Sequence, residues 1–299
     1  MNLSHSHQKI QGSRLAVAIL LNIFITLFQI IGSIMSGSVA LLSDAMHNFS
    51  DVLSLVISWW AYKISFKRRT EKRTFGYKRA EILAAFFNAS FLIGIGLYLL
   101  SESILKLIHK EYVTNSYIII YMGLLSIILN SVSVLYLKKD SKNNINIKSA
   151  YLHLLTDVMT SVAVVINGIV ISFFRIFWFD AIVGIAIAFY LIFASFDLAK
   201  DAYDILMEFA PPDINTKELH DTIVNFHENI KNIHHLHLWR LTEHDVHLEV
   251  HIDFNNNITL KDANKITSNL EKILLYKFNI NHCTFQCEYD VNDCKKLIN

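Results

Sequence analysis

The first two thirds of the chain consist of long apolar runs separated by short polar stretches. A lipid core takes about 20 apolar helical residues to cross. On that scale the runs predict membrane helices over Arg14–Met35, Val39–Lys63, Ile82–Ile108, Tyr117–Leu137, Ser149–Phe174 and Phe177–Ala199. Pro211-Pro212 closes this pattern, and a polar, differently spaced one begins. Leu219, Ile223, Val224 and Phe226 mark a helix over Asn215–Asn229. His234–Trp239 and Val246–Phe254 read as strands around the turn Leu241–Asp245. In the second, Val246, Leu248, Val250, Ile252 and Phe254 alternate with His247, Glu249, His251 and Asp253. Thr259 with Asp262 resembles a capping box, opening a helix with Ile266, Leu270, Ile273 and Leu274. A last strand spans Asn281–Tyr289. The expected architecture is a cytoplasmic tail (1–13), a six-helix transmembrane domain (14–208) and a cytoplasmic α+β domain (209–299). That last domain has the order αββαβ, its helices on one face of a three-stranded sheet.

Composition supports a membrane protein. Of 299 residues 53% are hydrophobic, and the mean hydropathy of +0.36 is too high for an ordinary soluble domain. A net charge of +1 offers no field to recruit nucleic acid. Lys67, Arg68, Arg69, Lys72, Arg73, Lys78 and Arg79 follow the second run, and Lys138, Lys139, Lys142 and Lys148 follow the fourth. Lys9 and Arg14 precede the first. The opposite loops hold little more than Lys110, Glu111 and Arg175. Both termini and the basic loops are therefore expected in the cytoplasm of a multi-pass protein of the plasma (inner) membrane. MNLSHSHQKIQGSR has no signal-peptide features. Cys283, Cys287 and Cys294 are odd in number and form no Cys-x-x-Cys pair, which fits a reducing compartment.

The chemistry lies in SVALLSDAMHNFSDVLS, Ser38 to Ser54. Asp44, His47 and Asp51 share one helical face. His153 and Asp157 repeat the His-x-x-x-Asp spacing in the fifth run. One such pair could be a helix–helix hydrogen bond. Two identical pairs of ionisable groups inside a membrane mark a pathway. Facing each other, His47, Asp51, His153 and Asp157 make the nitrogen–oxygen set that four-coordinate zinc prefers. Asp44 would be a fifth ligand and is read as lining the access path. Asn22, Asn88, Asn130 and Asn167 are expected to bridge helices, Glu81 and Glu102 to sit near helix ends, and Asp180 to serve its own helix as N-terminal cap or dipole partner.

Histidines crowd the polar domain: His234, His235, His237, His244, His247 and His251, with His282 beside them. His251, a histidine of the first strand and Glu288 could meet on one sheet face, as a metal site or as a polar surface. Strand parity favours His235 or His237 as the partner of His251.

SVALLSDAMHNFSD and HLLTD, supported by FGYKRAE, HHLHLW and HCTFQCE, resemble the cation diffusion facilitator family of zinc and cadmium transporters, in the zinc-transporting subgroup. The likeness covers nearly the whole chain. It implies a homodimer exporting divalent metal in exchange for protons, with a ferredoxin- or metallochaperone-like cytoplasmic domain. It places transport at His47, Asp51, His153 and Asp157, and a regulatory site at His234, His251 and Glu288. Three departures stand out. Arg73 and Tyr77 occupy positions where some members have histidines, so no metal is expected there. Ala181 replaces a frequent proline. The loop Asp140–Lys148 has no histidine to gather zinc, and His5 and His7 are read as part of a tail.

The expected activity is therefore proton-coupled antiport of Zn2+, with Cd2+ and Co2+ as competitors. Ligands must lose protons to bind metal, and histidine titrates near pH 6.5, so protons and zinc compete at one site. Zn2+, protons, the bilayer and a second copy of the chain are the expected partners. No cofactor is expected beyond zinc as transported and regulatory ion. Enzymatic hydrolysis is disfavoured: no His-Glu-x-x-His motif occurs, and four protein ligands leave no open position. A metal sensor without transport, or a family member carrying mainly Fe2+ or Mn2+, are the alternatives.

Overall fold

The computed structural model describes residues 3–110, 114–138, 145–291 and 296–297, with side chains from residue 20 onward except those of 136–137 and 145–150. Long helices come first: α1 (Leu3–Ser36), α2 (Val39–Ser65), α3 (Ala80–His109), α4 (Ser116–Lys138), α5 (Ile145–Phe174) and α6 (Phe179–Leu206). Then follow α7 (Thr216–Val224), β1 (Ile230–Arg240), β2 (Val246–Phe254), α8 (Leu260–Phe278) and β3 (His282–Glu288). Contacts divide the chain into two units, Met1–Trp59 with Phe87–Ala199, and Trp60–Phe86 with Lys200–Asn299.

In the first unit polarity is inverted. Phe24, Phe28, Ile31, Phe173 and Phe193 are exposed, whereas Asp44, Asn48, Asn130, Asp157 and Asn167 are buried. So much apolar surface is stable only in lipid. Ala80–His109, Ser116–Leu135, Tyr151–Phe174 and Phe179–Leu206 are each long and apolar enough to cross a membrane. The protein is thus membrane-integral, with a helical transmembrane domain that shows four clear apolar spans among the described residues. Asp44, His47, Asn48 and Asp51 interrupt the apolar run of α2. Hydropathy marks the lipid-facing part of a helix rather than its hydrogen-bonded length. Hence α1 starts at Leu3 rather than Arg14, with Gly12 costing only about 1 kcal/mol. For the same reason α5 starts earlier than Ser149 and α6 runs on to Leu206. The extension of α6 buries Ala202 and Ile205 against Ile82.

Leu41, Ile95, Leu99, Ile119, Val164, Ile171, Ile187 and Leu191 form the core of the first unit. A Cβ on Gly123 would lie 2.6 Å from Val165 Cγ2, so glycine lets α4 approach α5 closely. The α1–α2 turn uses Gly37 at φ 66. Ser38 Oγ then accepts from Leu41 N at 3.1 Å and caps α2. Asp180 lies in the first turn of its own helix, where its charge suits the helix dipole, but it is not the N-cap. Its carboxylate accepts from Ser38 Oγ (2.5 Å), Val39 N (2.8 Å), Asn167 Nδ2 (2.7 Å) and Lys106 Nζ (2.8 Å). Those donors lie on or beside α2, α5 and α3, because an unsatisfied helix N-terminus attracts an anion from wherever the fold supplies one.

In the second unit β1 and β2 form an antiparallel hairpin, and α8 crosses over to lay β3 parallel to β2. The order is β1-β2-β3. Val246, Leu248, Val250, Ile252 and Phe254 face Leu219 and Ile223 of α7 and Ala263, Ile266, Leu270 and Leu274 of α8. Ile273 lies outside this core, 39% exposed. Asn225 ends α7 short of Asn229, its Nδ2 donating to Asp221 O at 2.8 Å. Thr259 caps α8 through Asp262 N, and Asn279 at φ 55 closes it.

Lys78, before α3, reaches Asp245 in the hairpin turn at 2.5 Å. This hydrogen bond holds the Asp245 carboxyl below its ordinary value. A lowered folded pKa contributes stability above the usual carboxylate range and loses it as pH falls through the folded value. Lys78→Met is expected to move the Asp245 titration upward, read from carboxyl carbon shifts. An unmoved titration would refute the pairing.

Candidate metal centre

α2 and α5 bring the four predicted residues together. His47 Nε2 lies 3.5 Å from Asp157 Oδ1 and 3.8 Å from Asp51 Oδ2. His153 Nε2 lies 3.2 Å from Asp51 Oδ2 and 3.9 Å from Asp157 Oδ2. The imidazole rings stand edge to face at 5.9 Å. Ligand atoms of His47, Asp51 and Asp157 lie within 4.8 Å of one another. A tetrahedron with bonds of about 2.1 Å has edges of about 3.4 Å, close to these separations. Asp157 is fully buried and the His47 side chain is 11% exposed, whereas that of His153 is 43% exposed, so the group opens on the His153 side. Among the described residues, neither ring nitrogen of His47 nor either carboxylate oxygen of Asp157 makes a hydrogen bond. Buried polar atoms of this kind cost about 1–3 kcal/mol each unless something else satisfies them. A divalent cation fits that demand.

Asp44 is not on a path. It is fully buried and accepts from Gln29 Nε2 (2.5 Å), Thr160 Oγ1 (2.9 Å) and Ser161 Oγ (3.0 Å). It ties α2 to α1 and α5 one turn from His47. Gln29 also accepts from Asn48 Nδ2 at 2.7 Å, and Ser161 meets Ser126 of α4 at 2.8 Å. Sequence reasoning missed Gln29, Thr160 and Ser161. Their signal was polarity inside apolar runs, with Thr160 one turn after Asp157. Of the four asparagines, Asn88 reaches Ser54 O of α2 (3.5 Å) and Asn167 reaches Asp180 of α6. Asn130 bonds Ser126 of its own helix at 3.4 Å.

The second unit holds another cluster. Ligand atoms of His234, His251 and Glu288 lie within 4.8 Å of one another. His234 Nε2 is 3.3 Å from Glu288 Oε2, and His251 Nδ1 is 2.9 Å from Glu288 Oε1. The strand partner of His251 is His234, not His235 or His237. A β-bulge overturns the parity argument. Between His234↔His251 and His237↔Glu249, two β1 residues oppose one on β2, and His235 takes φ 50. Behind the cluster, Asp253 Oδ2 stands 3.6 Å from His234 Nδ1, and Gln286 Nε2 donates to Glu288 Oε1 at 2.7 Å. Carboxylates so placed orient a ligating histidine. Three donors of nitrogen and oxygen type, oriented from behind, suit a zinc-like ion.

Other predicted residues lie apart from these clusters. His247 stacks on His282 at 4.5 Å and on Trp239 at 5.4 Å. Burial pushes the His247 imidazole down. The Arg73 guanidinium stands 4.7 Å over the Tyr77 ring. Cys283 and Cys287 are free thiols, and burial pushes Cys283 up to about 12, so it stays protonated at cellular pH. Cys294, residues 140–144 of the predicted loop Asp140–Lys148, and the side chains of His5 and His7 lie outside the described residues, whereas the backbone of 145–148 already belongs to α5.

Residues 15–207 match the family model described as the cation efflux transmembrane domain, and residues 211–290 match that of the cation efflux protein cytoplasmic domain. The chain is 34% identical over 296 residues to a cadmium, cobalt and zinc/H(+)-K(+) antiporter of Bacillus velezensis, covering 96% of this chain and 92% of the relative. It is 32% identical over 292 residues to the metal cation efflux system protein CzcD of Cupriavidus metallidurans, covering 96% and 90%. The zinc transporter ZitB of Escherichia coli is 30% identical over 288 residues, again covering 96% and 90%.

Proposed function

The chain belongs to the cation efflux family, and from that premise we propose that it exports divalent metal from the cytoplasm in exchange for protons. Zinc is the favoured ion, with cadmium and cobalt as competitors. One arrangement carries this reading: two imidazoles and two carboxylates from α2 and α5 converge, and His47 and Asp157 present buried ligand atoms that make no hydrogen bond. Neutral imidazole with carboxylate suits zinc better than the harder manganese ion. Each ligand must be deprotonated to hold the metal, so a proton arriving at His47 or His153 expels it. Rocking of helices around a fixed site would expose it to each side in turn.

In this reading α1 to α6 all cross the plasma membrane and both termini face the cytoplasm. Residues 209–299 form the cytoplasmic domain of a homodimer, where an ion at His234, His251 and Glu288 biases the transport cycle by preferring one arrangement. The test is zinc uptake into inside-out vesicles that are acid inside. Uptake is expected, and it should collapse when the proton gradient is dissipated. Zinc binding with no uptake, in vesicles that hold their gradient, would overturn transport and leave a metal sensor. Uptake blocked by iron or manganese but not by cadmium would move the chain to another metal.

A further inference from the structure

We infer that Asp44 and Thr160 clamp α2 to α5 at a fixed spacing, and that this spacing makes the metal group select zinc over the larger cadmium ion. The inference rests on the reading of that group as the transport site. Each helix supplies two of the ligands, so the distance between the helices decides which ion all four can reach at once. His47 Nε2 and His153 Nε2 stand 3.2–3.9 Å from carboxylate oxygens of Asp51 and Asp157. Those separations bracket the edge of about 3.4 Å of a zinc tetrahedron. Cadmium takes longer bonds to the same donors and would fit only if α2 and α5 moved apart. Selectivity between ions of different size is a matter of cavity size and flexibility.

The clamp lies one turn from both ligand pairs. Asp44 stands three residues before His47 and Thr160 three after Asp157, so each shares a helical face with its ligand. Thr160 Oγ1 is 2.9 Å from Asp44 Oδ1 and 3.0 Å from the backbone oxygen of Asp157. Ser161, the next residue of α5, donates from Oγ to Asp44 Oδ2 at 3.0 Å. α5 thus meets both oxygens of Asp44. Two further helices brace the joint. Gln29 of α1 donates to Asp44 Oδ2 (2.5 Å) and accepts from Asn48 (2.7 Å), holding α2 on both sides of His47. Ser126 of α4 meets Ser161 at 2.8 Å. Gln29 is 1% exposed, and Asp44, Asn48, Ser126 and Ser161 are fully buried, so water cannot replace a bond that the helices break by separating. A wider spacing would strand a buried carboxylate, and that penalty falls on the larger ion alone.

The experiment uses the full chain in inside-out vesicles that are acid inside. Two concentrations are read for each variant: the zinc that gives half-maximal uptake, and the cadmium that halves it. Their ratio does not depend on how much protein is inserted, so a variant that only folds poorly leaves it unmoved. Thr160→Val keeps the shape and removes the hydroxyl. It is expected to shift the ratio toward cadmium by about tenfold, the lower end of what losing an outer partner does to a metal site. Ser161→Ala removes the other α5 donor and should shift the ratio the same way, which carries the test if Thr160→Val yields no active protein. Thr160→Ser restores the hydroxyl and should return the ratio toward the parent's. An unmoved ratio in Thr160→Val and Ser161→Ala would overturn the inference, as would a shift toward zinc or one just as large in Thr160→Ser. Asp157→Ala separates this inference from the reading beneath it. If that variant carries zinc like the parent, the transport site itself is misplaced. If it abolishes uptake while the clamp variants keep the parent's ratio, the site stands and the clamp does not.

Discussion

Asp157→Ala is expected to lower gradient-driven zinc uptake by more than about a hundredfold, beyond the range seen when an outer partner of a metal ligand is removed. Asp157 is fully buried between the imidazoles, with Oδ1 at 3.5 Å from His47 and Oδ2 at 3.9 Å from His153. No other described carboxylate can take its place, since Asp51 is already in the group and Asp44 is held by three hydrogen bonds. The same change should not destabilise the metal-free protein. Both oxygens are buried without hydrogen bonds, so their loss removes an unmet demand. Function and stability then move in opposite directions, as expected where a strained group is kept for its chemistry. Asp157→Asn keeps the shape and loses the charge, and should transport little better. Flux and thermal unfolding measured on one preparation decide the matter. Flux that survives Asp157→Ala would mean that the ion passes elsewhere.

The second large effect lies at the α1–α2 turn. Asp180→Ala should destabilise the protein by about 3–5 kcal/mol, the usual result of stranding one partner of a buried ion pair. Lys106 is 9% exposed and would keep its charge with no carboxylate at 2.8 Å, while the Val39 N–H and Ser38 hydroxyl lose their acceptor. Replacing both charges, in Lys106→Met with Asp180→Asn, should recover most of the loss, because an apolar substitute for a buried pair is often neutral. Thermal unfolding of the two variants beside the parent checks both expectations. A double variant as unstable as Asp180→Ala would show that the network matters for its geometry rather than its charge balance.

Much of this was legible because its physics is local. A His-x-x-x-Asp spacing lands on one helical face wherever the helix sits, so His47, Asp51, His153 and Asp157 needed only two helices to meet. Alternation along Val246–Phe254 likewise fixed which side of β2 is buried. The misses came from contacts between distant segments. Asp44 looked like a lining residue because nothing local reveals Gln29 and Ser161 on other helices. Asp180 caps a helix begun some hundred and forty positions earlier. Parity along HHLHLW failed because one bulged residue reverses every later side chain, and histidine is not the residue that usually announces a bulge.

Each strand of the sheet contributes one member of the cytoplasmic cluster: His234 from β1, His251 from β2 and Glu288 from β3. β3 is seven residues long and lies at an edge, joined to β2 by parallel pairing, the weaker kind per residue. An ion gripping all three would rivet the sheet across its width. The domain would then be fastened by its own metal supply, firm when zinc is plentiful and loose along one margin when zinc is scarce.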